Sequence, residues 1–548
     1  MQSLLLKRAF SREAASRPPT PLPSRPPSPP PSDSPSARRS SDSTLHEGID
    51  DCDPRQLARG GAGAIDGDKE LQKPPADPDA DPFLVEFAPN DPQNPRNWSY
   101  LRRWLITFQI AHIALLVGAA GSINSAAVHQ AADALGVSVE VALLDTAVFL
   151  IGFGISAPLM GPLSELGGRN PVYILTILIF IVFEVGCAVS TNIQTRVVLR
   201  FFAGCFGASP LTNAGGSLAD LWSPDERTFA FPVFAVAGFF GPAVGPVMGG
   251  WIGQTWHYEW CDWVSAIWGA LVFIICLVLM PETFAPTILA LKAKHLRRKT
   301  GDSRFSTSLE RLRASVPFRA HLVEALKRPF KMLFLEPIVA LFSCYMSIVY
   351  LILFGDLVSY EYIYEPYHLS TGELGLAFLP ICVGLLLCGL TIPFMTREYR
   401  KTTRRCQEQG IEVEPEERLK VAMIGSWAVP ISLFWGAWTC YESVSIWAVF
   451  GSQVLFGFGI LTCFISSYQY TIDAYLSTAA SALSALTLVR YPVSGGSVLF
   501  MGPMYERLGR HWALTLLAFL SLAASFIPWL FYFYGKRIRS WSRYAPTL

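Results

Sequence analysis

The stretch GFFGPAVGPVMGGWI, from Gly238 to Ile252, decides the fold because it places helix-disrupting residues inside an apolar segment. Three glycines recur every four residues, and two prolines lie between them: Gly241, Gly245, Gly249, Pro242 and Pro246. Steps of four keep the glycines on one helix face, where a second helix can approach backbone to backbone. Each proline removes an internal hydrogen bond and favours a bend. The stretch therefore predicts a bent membrane helix that forms a tight seam.

The composition indicates a polytopic membrane protein. Hydrophobic residues make up 51% of the chain and charged residues only 16%, against about 25% charged in ordinary soluble domains. The mean hydropathy is +0.34. A net charge of +1 argues against nucleic-acid binding as the main task. The eleven cysteines are scattered without metal-ligand spacing, so we expect them to pack as small apolar side chains rather than to hold a metal or form disulfides.

Apolar runs of about 20 residues recur from Trp104 onward, each long enough to cross a hydrocarbon core of about 30 Å as a helix. About twelve such runs are predicted, at 104–127, 140–160, 171–190, 196–220, 229–253, 262–280, 334–358, 372–395, 421–440, 444–469, 476–501 and 512–534. The predicted organisation is a Pro/Ser-rich disordered tail, a first six-helix bundle, a basic linker, and a second six-helix bundle with a short basic tail: 1–81, 82–280, 281–333 and 334–548.

Lysine and arginine are concentrated in the central linker and after the eighth and twelfth runs. The connections near His129, near Tyr258 and over 360–369 contain neither residue. Because cytoplasmic loops carry an excess of these cations, both termini and the linker are predicted to be cytoplasmic. Arg507 and Arg510 are exceptions, since they fall in a loop on the predicted outer side. We expect the plasma membrane, with the vacuolar membrane as the alternative.

Three motifs resemble signatures of the major facilitator superfamily. GPLSELGGRNPV (Gly161–Val172) resembles the loop between spans two and three, and LRFFAGCFGA (Leu199–Ala208) resembles the fourth-span arginine motif. The Gly238–Ile252 stretch resembles the fifth-span motif of antiporters. Three more stretches resemble the twelve-span drug:proton antiporter family of fungi, in the branch of polyamine, drug and toxin exporters: DPFLVEFAPNDPQNPRNWS, PETFAPTILALKAKHLRRKTGD and YTIDAYLSTAASALSALTLVR.

This resemblance extends from about Asp81 to about Arg539. It implies an all-α membrane protein with the major facilitator fold, twelve transmembrane helices in two six-helix bundles. It also implies a proton-coupled efflux pump that exports a small amphipathic molecule, such as a secondary metabolite, toxin, glycolipid or drug, by alternating access. A polyamine/proton antiporter is the alternative; a nutrient uptake facilitator and a nontransporting membrane receptor are less favoured.

The expected partners are a small-molecule substrate, protons and the lipid bilayer, with a monomeric chain and no nucleic acid. The sequence contains no phosphate-cradling G-x-x-x-x-G-K-[ST] and no convincing catalytic set. We therefore expect neither enzymatic activity nor a cofactor.

The resemblance implies roles for two local motifs. In the family, the fifth-span glycine motif lies where the two halves meet and limits leak, although plain tight packing explains the glycines too. An acid at the end of span four pairs with the loop arginine and latches the outward-facing state. The residues assigned to this latch are Gly161, Glu165, Arg169, Asp220 and Arg227. Glu165 replaces the usual aspartate, and Asn170 stands where a second basic residue is common; the alternative is a set of solvated interfacial charges.

Charged residues inside a membrane are costly and are usually functional. Arg200 matches the fourth-span arginine that the family links to proton transfer. A fixed cation favours the charged form of a nearby carboxylate, so a movement that separates the two can load or release a proton. We expect Asp145 to pair with Arg200, and Glu184 is a further candidate for proton coupling.

The expected substrate cavity is lined by aromatic and hydrogen-bonding side chains, which suit bulky amphipathic molecules. Arg490 is expected either to bind an anionic substrate group or to hold span eleven in register. Asp356 is expected either to bind a cationic substrate or to cap a helix end. The residues expected at the cavity are Gln109, His112, Asn124, Asn213, Tyr345, Tyr350, Asp356, Tyr468 and Arg490.

Overall fold

The computed structural model describes residues 81, 83–315, 318–411, 413–475, 478–542 and 544. The predicted disordered tail, apart from Asp81, lies outside these residues. The described chain from Phe83 onward is helical, and its one β-contact is an isolated bridge between Leu84 and Ser306. The predicted all-α class is confirmed.

The first half contains six membrane-crossing helices, α1 to α6. They are Tyr100–Ala120, Leu144–Gly167, Arg169–Ala188, the consecutive pair Ile193–Gly207 and Ser209–Leu221 (together α4), Pro224–Thr255, and Glu259–Leu279. Short helices at Ile123–Ala127, Val128–Leu135 and Val139–Ala142 connect α1 to α2. Gly168 separates α2 from α3 with a φ of 95°, a conformation that side-chain-bearing residues rarely adopt.

The second half contains α7 to α12. The first four are Pro337–Tyr364, Leu379–Glu408, Leu419–Ala437 and Ile446–Tyr475, and a short helix at Thr371–Leu376 precedes α8. The last element, Ala479–Arg539, is 61 residues long and is interrupted at Gly509, where φ is 72° and ψ is 158°. At about 1.5 Å per residue it is far too long for one crossing, so we treat 479–508 as α11 and 510–539 as α12.

Ten helices among the described residues are long and apolar enough to cross a membrane. The element Ala479–Arg539 counts once in this number although it crosses twice, and α4 is left out because it is divided at Ala208. Twelve crossings follow, in agreement with the sequence. Several helices extend beyond the predicted apolar runs; α8 continues to Glu408, through a stretch of polar residues with good helix propensity.

The linker, predicted as a connection over 281–333, contains more helix than that prediction implies. It contains helices Ala285–Thr300, Ser308–Ser315 and Phe318–Leu335. The segment before α1 joins it, because the Val85 N–H donates to the Ser306 carbonyl at 2.9 Å. The linker and both ends of the described chain lie on the same side of the helix bundle. We call this side the linker face and the other side the opposite face.

Candidate functional site

Five charged side chains meet inside the first half. Two arginines, one turn apart on α4, face carboxylates from α2, α3 and α6, so four separate helices build the group. Asp145 is the most accessible member, and only 4% of its surface is exposed. We call this group the charge cluster; its members are Asp145, Glu184, Arg196, Arg200 and Asp262.

The two aspartates of the charge cluster share their partners. Arg196 Nε lies 3.1 Å from Asp145 Oδ1, and Arg196 Nη2 lies 2.7 Å from Asp262 Oδ2. The Asn124 side-chain amide donates to Asp145 Oδ2 at 2.7 Å and to Asp262 Oδ1 at 2.9 Å. Arg196 and the Asn124 amide therefore hold both aspartates in the buried interior.

Glu184 is held less completely. Arg200 Nη1 donates to Glu184 Oε1 at 2.9 Å, while Glu184 Oε2 has no hydrogen-bond partner. Arg200 Nε also lies 3.4 Å from Asp145 Oδ2. Arg200 Nη2 donates to the Ala120 carbonyl at the end of α1, at 2.8 Å. Arg200 thus links the loosest carboxylate of the cluster to α1.

The charge cluster contains three carboxylates and only two guanidiniums, so one negative charge is in excess when every group is ionised. Burying an uncompensated charge is costly, and a group in that position tends to neutralise instead. One added proton balances the cluster. Glu184 is the geometrically favoured carrier, because one of its oxygens is unpaired and a single arginine holds the other.

The structure brings Arg200, Asp145 and Glu184 together, and it adds Arg196 and Asp262, which the sequence reasoning did not select. Arg196 precedes Arg200 by four residues, a spacing that places both on one helix face. Asp262 lies in the first turn of α6, in an otherwise apolar stretch. Asn124, expected at the substrate cavity, lies instead against the two aspartates.

The predicted latch centres on Arg169, the first residue of α3. Its Nε lies 3.3 Å from Asp220 Oδ2, and its Nη1 donates to Ser164 Oγ at 2.5 Å. Glu282, just after α6, accepts from the Arg169 backbone N–H at 3.0 Å and from that of Asn170 at 3.2 Å. The loop between α2 and α3 is therefore fixed to the ends of both α4 and α6.

The sequence analysis did not select Glu282 as a latch residue, because Glu282 belongs to the start of the linker. Its carboxylate also accepts from the backbone N–H groups of Thr283 and Phe284. Burial raises the pKa of Glu282 above its usual value, although these backbone hydrogen bonds act in the opposite direction. The carboxylate caps the first turn of α3, where a negative charge is favoured.

The remaining residues assigned to the latch are Gly161, Glu165 and Arg227. Glu165 is exposed, and a Cβ atom placed on Gly161 would meet no atom within 4 Å. Arg227 Nη2 lies 3.9 Å from Asp473 Oδ1 on α10, and Asp473 Oδ2 lies 2.7 Å from Arg418 Nε. Arg227 therefore contributes to ion pairing between the two halves at the linker face.

The glycine seam of α5 packs within the first half, against α1 and the turn that follows it. A Cβ atom on Gly241 would lie 2.7 Å from the Leu115 carbonyl oxygen, and one on Gly249 would lie 2.0 Å from that of Ile123. A Cβ atom on Gly245 would clash with Ser122 Oγ at 2.1 Å. These glycines therefore permit backbone contact with α1, whereas the resemblance had placed the motif between the halves.

A contact between the two halves lies on the neighbouring face of the same helix. A Cβ atom on Gly375, before α8, would lie 2.6 Å from the Pro246 carbonyl oxygen, and one on Gly250 would lie 2.7 Å from that of Thr371. Helix α5 remains continuous from Pro224 to Thr255 although Pro232, Pro242 and Pro246 lie inside it. It thus touches α1 with one face and the second half with another.

Three of the expected cavity residues come together in the second half. The Arg490 guanidinium carbon lies 4.4 Å from the centre of the Tyr350 ring and 5.1 Å from that of Tyr468. Tyr345 and Asp356 lie on α7 to either side of Tyr350 and are buried. Tyr345 Oη and Asp356 Oδ2 have no hydrogen-bond partner.

The remaining polar residues expected at the cavity lie elsewhere in the first half. The Gln109 side-chain amide donates to Cys276 Sγ at 3.2 Å. Trp268 Nε1 donates to His112 Nε2 at 2.8 Å. Both contacts join α1 to α6.

Asn213 lies in α4, close to the latch. Its side-chain oxygen accepts from Ser164 Oγ at 3.0 Å, and its amide nitrogen donates to Ser209 Oγ at 3.1 Å. Since Ser164 also accepts from Arg169, Asn213 extends the hydrogen-bond network of the latch into α4.

Comparison with known proteins adds family information to this geometry. A family model described as Major Facilitator Superfamily matches residues 110–498. The chain is 41% identical over 469 residues to "MFS-type transporter kojT" of Aspergillus oryzae, covering 85% of this chain and 83% of the relative. It is 39% identical over 471 residues to "MFS-type efflux pump MFS2" of Trichophyton rubrum, covering 85% and 78%.

Two solved structures share the fold at low sequence identity. The proton:xylose symporter XylE superposes with a TM-score of 0.55 at 14% identity, over 79% of this chain and 97% of that one. The human organic anion transporter MFSD10 superposes with a TM-score of 0.53 at 16% identity, over 79% and 100%.

Proposed function

The chain belongs to the major facilitator superfamily, and from that premise we propose that it is a proton-coupled efflux pump for a small amphipathic organic molecule. The family and its relatives support a multi-pass membrane transporter. The export direction draws on the relative from Trichophyton rubrum that is named an efflux pump. The basic linker favours a cytoplasmic linker face. The proposal further takes the chain to be monomeric and to lie in the plasma membrane.

The charge cluster carries the proposal for proton coupling. Two guanidiniums and three carboxylates are buried together, and Glu184 keeps one unpaired oxygen. A proton on Glu184 removes the charge that Arg200 neutralises, so the ion pair between them weakens. Binding and release of one proton therefore change the forces on Arg200.

Helix α1 transmits this change toward the centre of the molecule. Arg200 donates to the Ala120 carbonyl at the end of α1. The neighbouring Val117, Gly118 and Gly121 line a cavity whose walls come from both halves, which we call the central cavity. Because the α5 glycines hold α1 backbone to backbone, α1 and α5 move together. Alternating access then follows as a movement of this half against the other, with the ion pairs of Arg227 and Arg418 to Asp473 closing the linker face.

The test is transport by purified protein in sealed vesicles, using a broad panel of amphipathic metabolites, drugs and polyamines under an imposed pH difference. Wild-type protein is expected to concentrate at least one amphipathic compound, and Glu184→Gln only to equilibrate it. Glu442→Gln, on an exposed loop of the second half, is the matched control and should transport normally. Absence of transport for every compound would refute the proposal.

A polyamine/proton antiporter is the second candidate, and Asp356 is the observation that favours it. This carboxylate is buried in α7 with one unpaired oxygen, and a cationic amine would neutralise it. The same vesicle panel separates the two candidates, because spermidine would then be concentrated and Asp356→Asn would abolish that accumulation.

A further inference from the structure

Arg490 on α11 is a buried cation without an anion. Its side chain is among the largest fully buried ones, with 1% of the residue exposed. Among the salt bridges of the described residues none involves Arg490, and its Nε and Nη1 have no hydrogen-bond partner. Burying an unpaired charge costs stability, so a residue of this kind inside a membrane indicates a function.

Four aromatic rings surround the guanidinium. The distances from its carbon to the ring centres run from 4.4 Å for Tyr350 to 5.4 Å for Phe464, with Tyr468 and Tyr491 at 5.1 Å. Rings at these distances stabilise a cation through their faces. They do not satisfy N–H groups that point along the guanidinium plane. The site is therefore built around a cation whose Nε and Nη1 donors remain available.

Three of these rings also form the wall of the central cavity: Tyr350, Phe464 and Tyr491. The facing wall comes from the first half, where Phe153 stacks on Tyr491 at 4.1 Å and Phe239 meets Phe464 at 4.8 Å. The cavity has a volume of about 30 Å³ in this conformation, comparable with the space of a single water molecule. Separation of the two halves would part these ring pairs and admit a flat organic molecule beside Arg490.

We propose that Arg490 binds the anionic group of the transported molecule, and that the substrate class is therefore organic anions with a flat, apolar body. A carboxylate or sulfonate matches the guanidinium fork through two parallel hydrogen bonds. The aromatic walls receive the apolar body. This inference rests on the proposed transport function and adds the charge of the cargo.

A cationic cargo does not fit this part of the cavity, since the fixed charge of Arg490 would repel it. Asp356 does not offset that charge, because it lies six residues from Tyr350 along α7, about 9 Å on a helix, and forms no ion pair with Arg490. An alternative role for Arg490, holding α11 in register, predicts that its removal would loosen the protein.

The experiment measures equilibrium binding by calorimetry to the full-length protein in lipid nanodiscs. Three probes share one aromatic body and differ in charge: naphthalene-2-sulfonate, naphthalene-2-sulfonamide and 2-naphthyltrimethylammonium. Wild-type protein is expected to bind the sulfonate with a Kd about tenfold or more below that of the neutral sulfonamide, the advantage expected for hydrogen bonds to a charged group. The cation should bind most weakly.

Arg490→Gln should bind the sulfonate no better than the sulfonamide, and Arg490→Lys should retain part of the preference as a point charge. Arg507→Gln, an exposed arginine on the opposite face, should behave as wild type. The thermal unfolding midpoint of Arg490→Gln checks that the variant folds, and it should not fall below that of wild type. A lower midpoint with retained sulfonate preference would assign Arg490 a structural role.

Wild-type protein that binds none of the probes, or that prefers the sulfonamide or the cation, would overturn the assignment of an anionic cargo. The calorimetry uses no pH gradient, so its result is independent of proton coupling. Gradient-driven accumulation of a neutral or cationic compound in vesicles would leave the transport function standing and refute only the role of Arg490. Binding of the sulfonate without transport of any compound would support the role of Arg490 and refute the transport function.

Discussion

The two halves of the molecule bury charge in different ways. In the first half, five charged side chains from four helices pair with one another, and Glu184 is held by a single arginine. In the second half, Arg490 is buried among aromatic rings and has no carboxylate beside it. A paired cluster can exchange a proton without a guest, whereas a solitary cation gains a partner only when something enters. The difference points to proton handling in one half and cargo binding in the other.

Breaking the charge cluster should have the largest effect. Arg200→Gln leaves Glu184 without a cation and should reduce the free energy of unfolding by about 3–5 kcal/mol, the cost of removing one partner from a buried pair. The double variant Arg200→Gln/Glu184→Gln removes the stranded charge and should recover most of this loss. Thermal unfolding in detergent measures both, and vesicle transport should show that neither variant drives coupled export.

Wild-type stability and coupled transport in Arg200→Gln would contradict the account. In that case the ion pair between Arg200 and Glu184 would contribute neither to the fold nor to the transport cycle.

The α5 seam provides the next test, because it joins α1 to the rest of the first half. Gly249→Ala places a Cβ atom 2.0 Å from the backbone carbonyl oxygen of Ile123, and overpacking of this kind costs about 1–3 kcal/mol. Gly238→Ala on the same helix meets no atom within 4 Å and should be neutral or stabilising by about 0.5–1 kcal/mol. The unfolding midpoints of Gly249→Ala and Gly238→Ala measure this difference. Equal midpoints would mean that α1 shifts at little cost to accommodate the added Cβ atom.

Removing Arg490, the unpaired cation of the second half, should raise the free energy of unfolding rather than lower it. Arg490→Met keeps a long apolar side chain and removes a buried cation, so we expect the ligand-free protein to gain about 1 kcal/mol or more. Unfolding curves recorded without ligand measure this gain. A loss of several kcal/mol would show that the aromatic rings compensate the charge fully, and the contrast between the halves would disappear.

The smallest effect concerns Glu282. Burial raises its pKa in the folded protein, so the folded state binds its proton more tightly than the unfolded state does. The contribution of Glu282 to stability should therefore fall as the pH rises from its ordinary value of 4.5 through the raised value. The unfolding midpoint of wild type minus that of Glu282→Gln should be larger at pH 4 than at pH 7. A difference independent of pH, or one that grows with pH, would contradict this expectation.

The fold could be predicted because apolar runs of membrane-spanning length carry a strong signal, and the twelve crossings follow from them. The break at Gly509 falls between the predicted runs 476–501 and 512–534. The break inside α4, at Ala208, does not interrupt the apolar pattern and was not predicted. The partners of each charge were harder to predict. Arg196 and Asp262 meet only because α4 and α6 pack together, and no local spacing relates them.

The packing of helices that are distant in sequence also explains the other differences between the predicted and the observed site. In the loop motif that resembles the family, Arg169 is held by Asp220, which lies on α4, and by Ser164. Glu282 caps α3 from a distant part of the chain, through hydrogen bonds that depend on the turn after Gly168. The orientation of the α5 glycines toward α1 likewise follows from helix packing, since a spacing of four defines a face but not its neighbour.

The most direct test of the division between the halves is one vesicle assay on three proteins: wild type, Glu184→Gln and Arg490→Gln. Accumulation of naphthalene-2-sulfonate is followed with and without an imposed pH difference. The account predicts that wild type concentrates the probe only with the gradient, that Glu184→Gln equilibrates it in both conditions, and that Arg490→Gln does not move it. Gradient-driven accumulation by Glu184→Gln at the wild-type level would contradict the account.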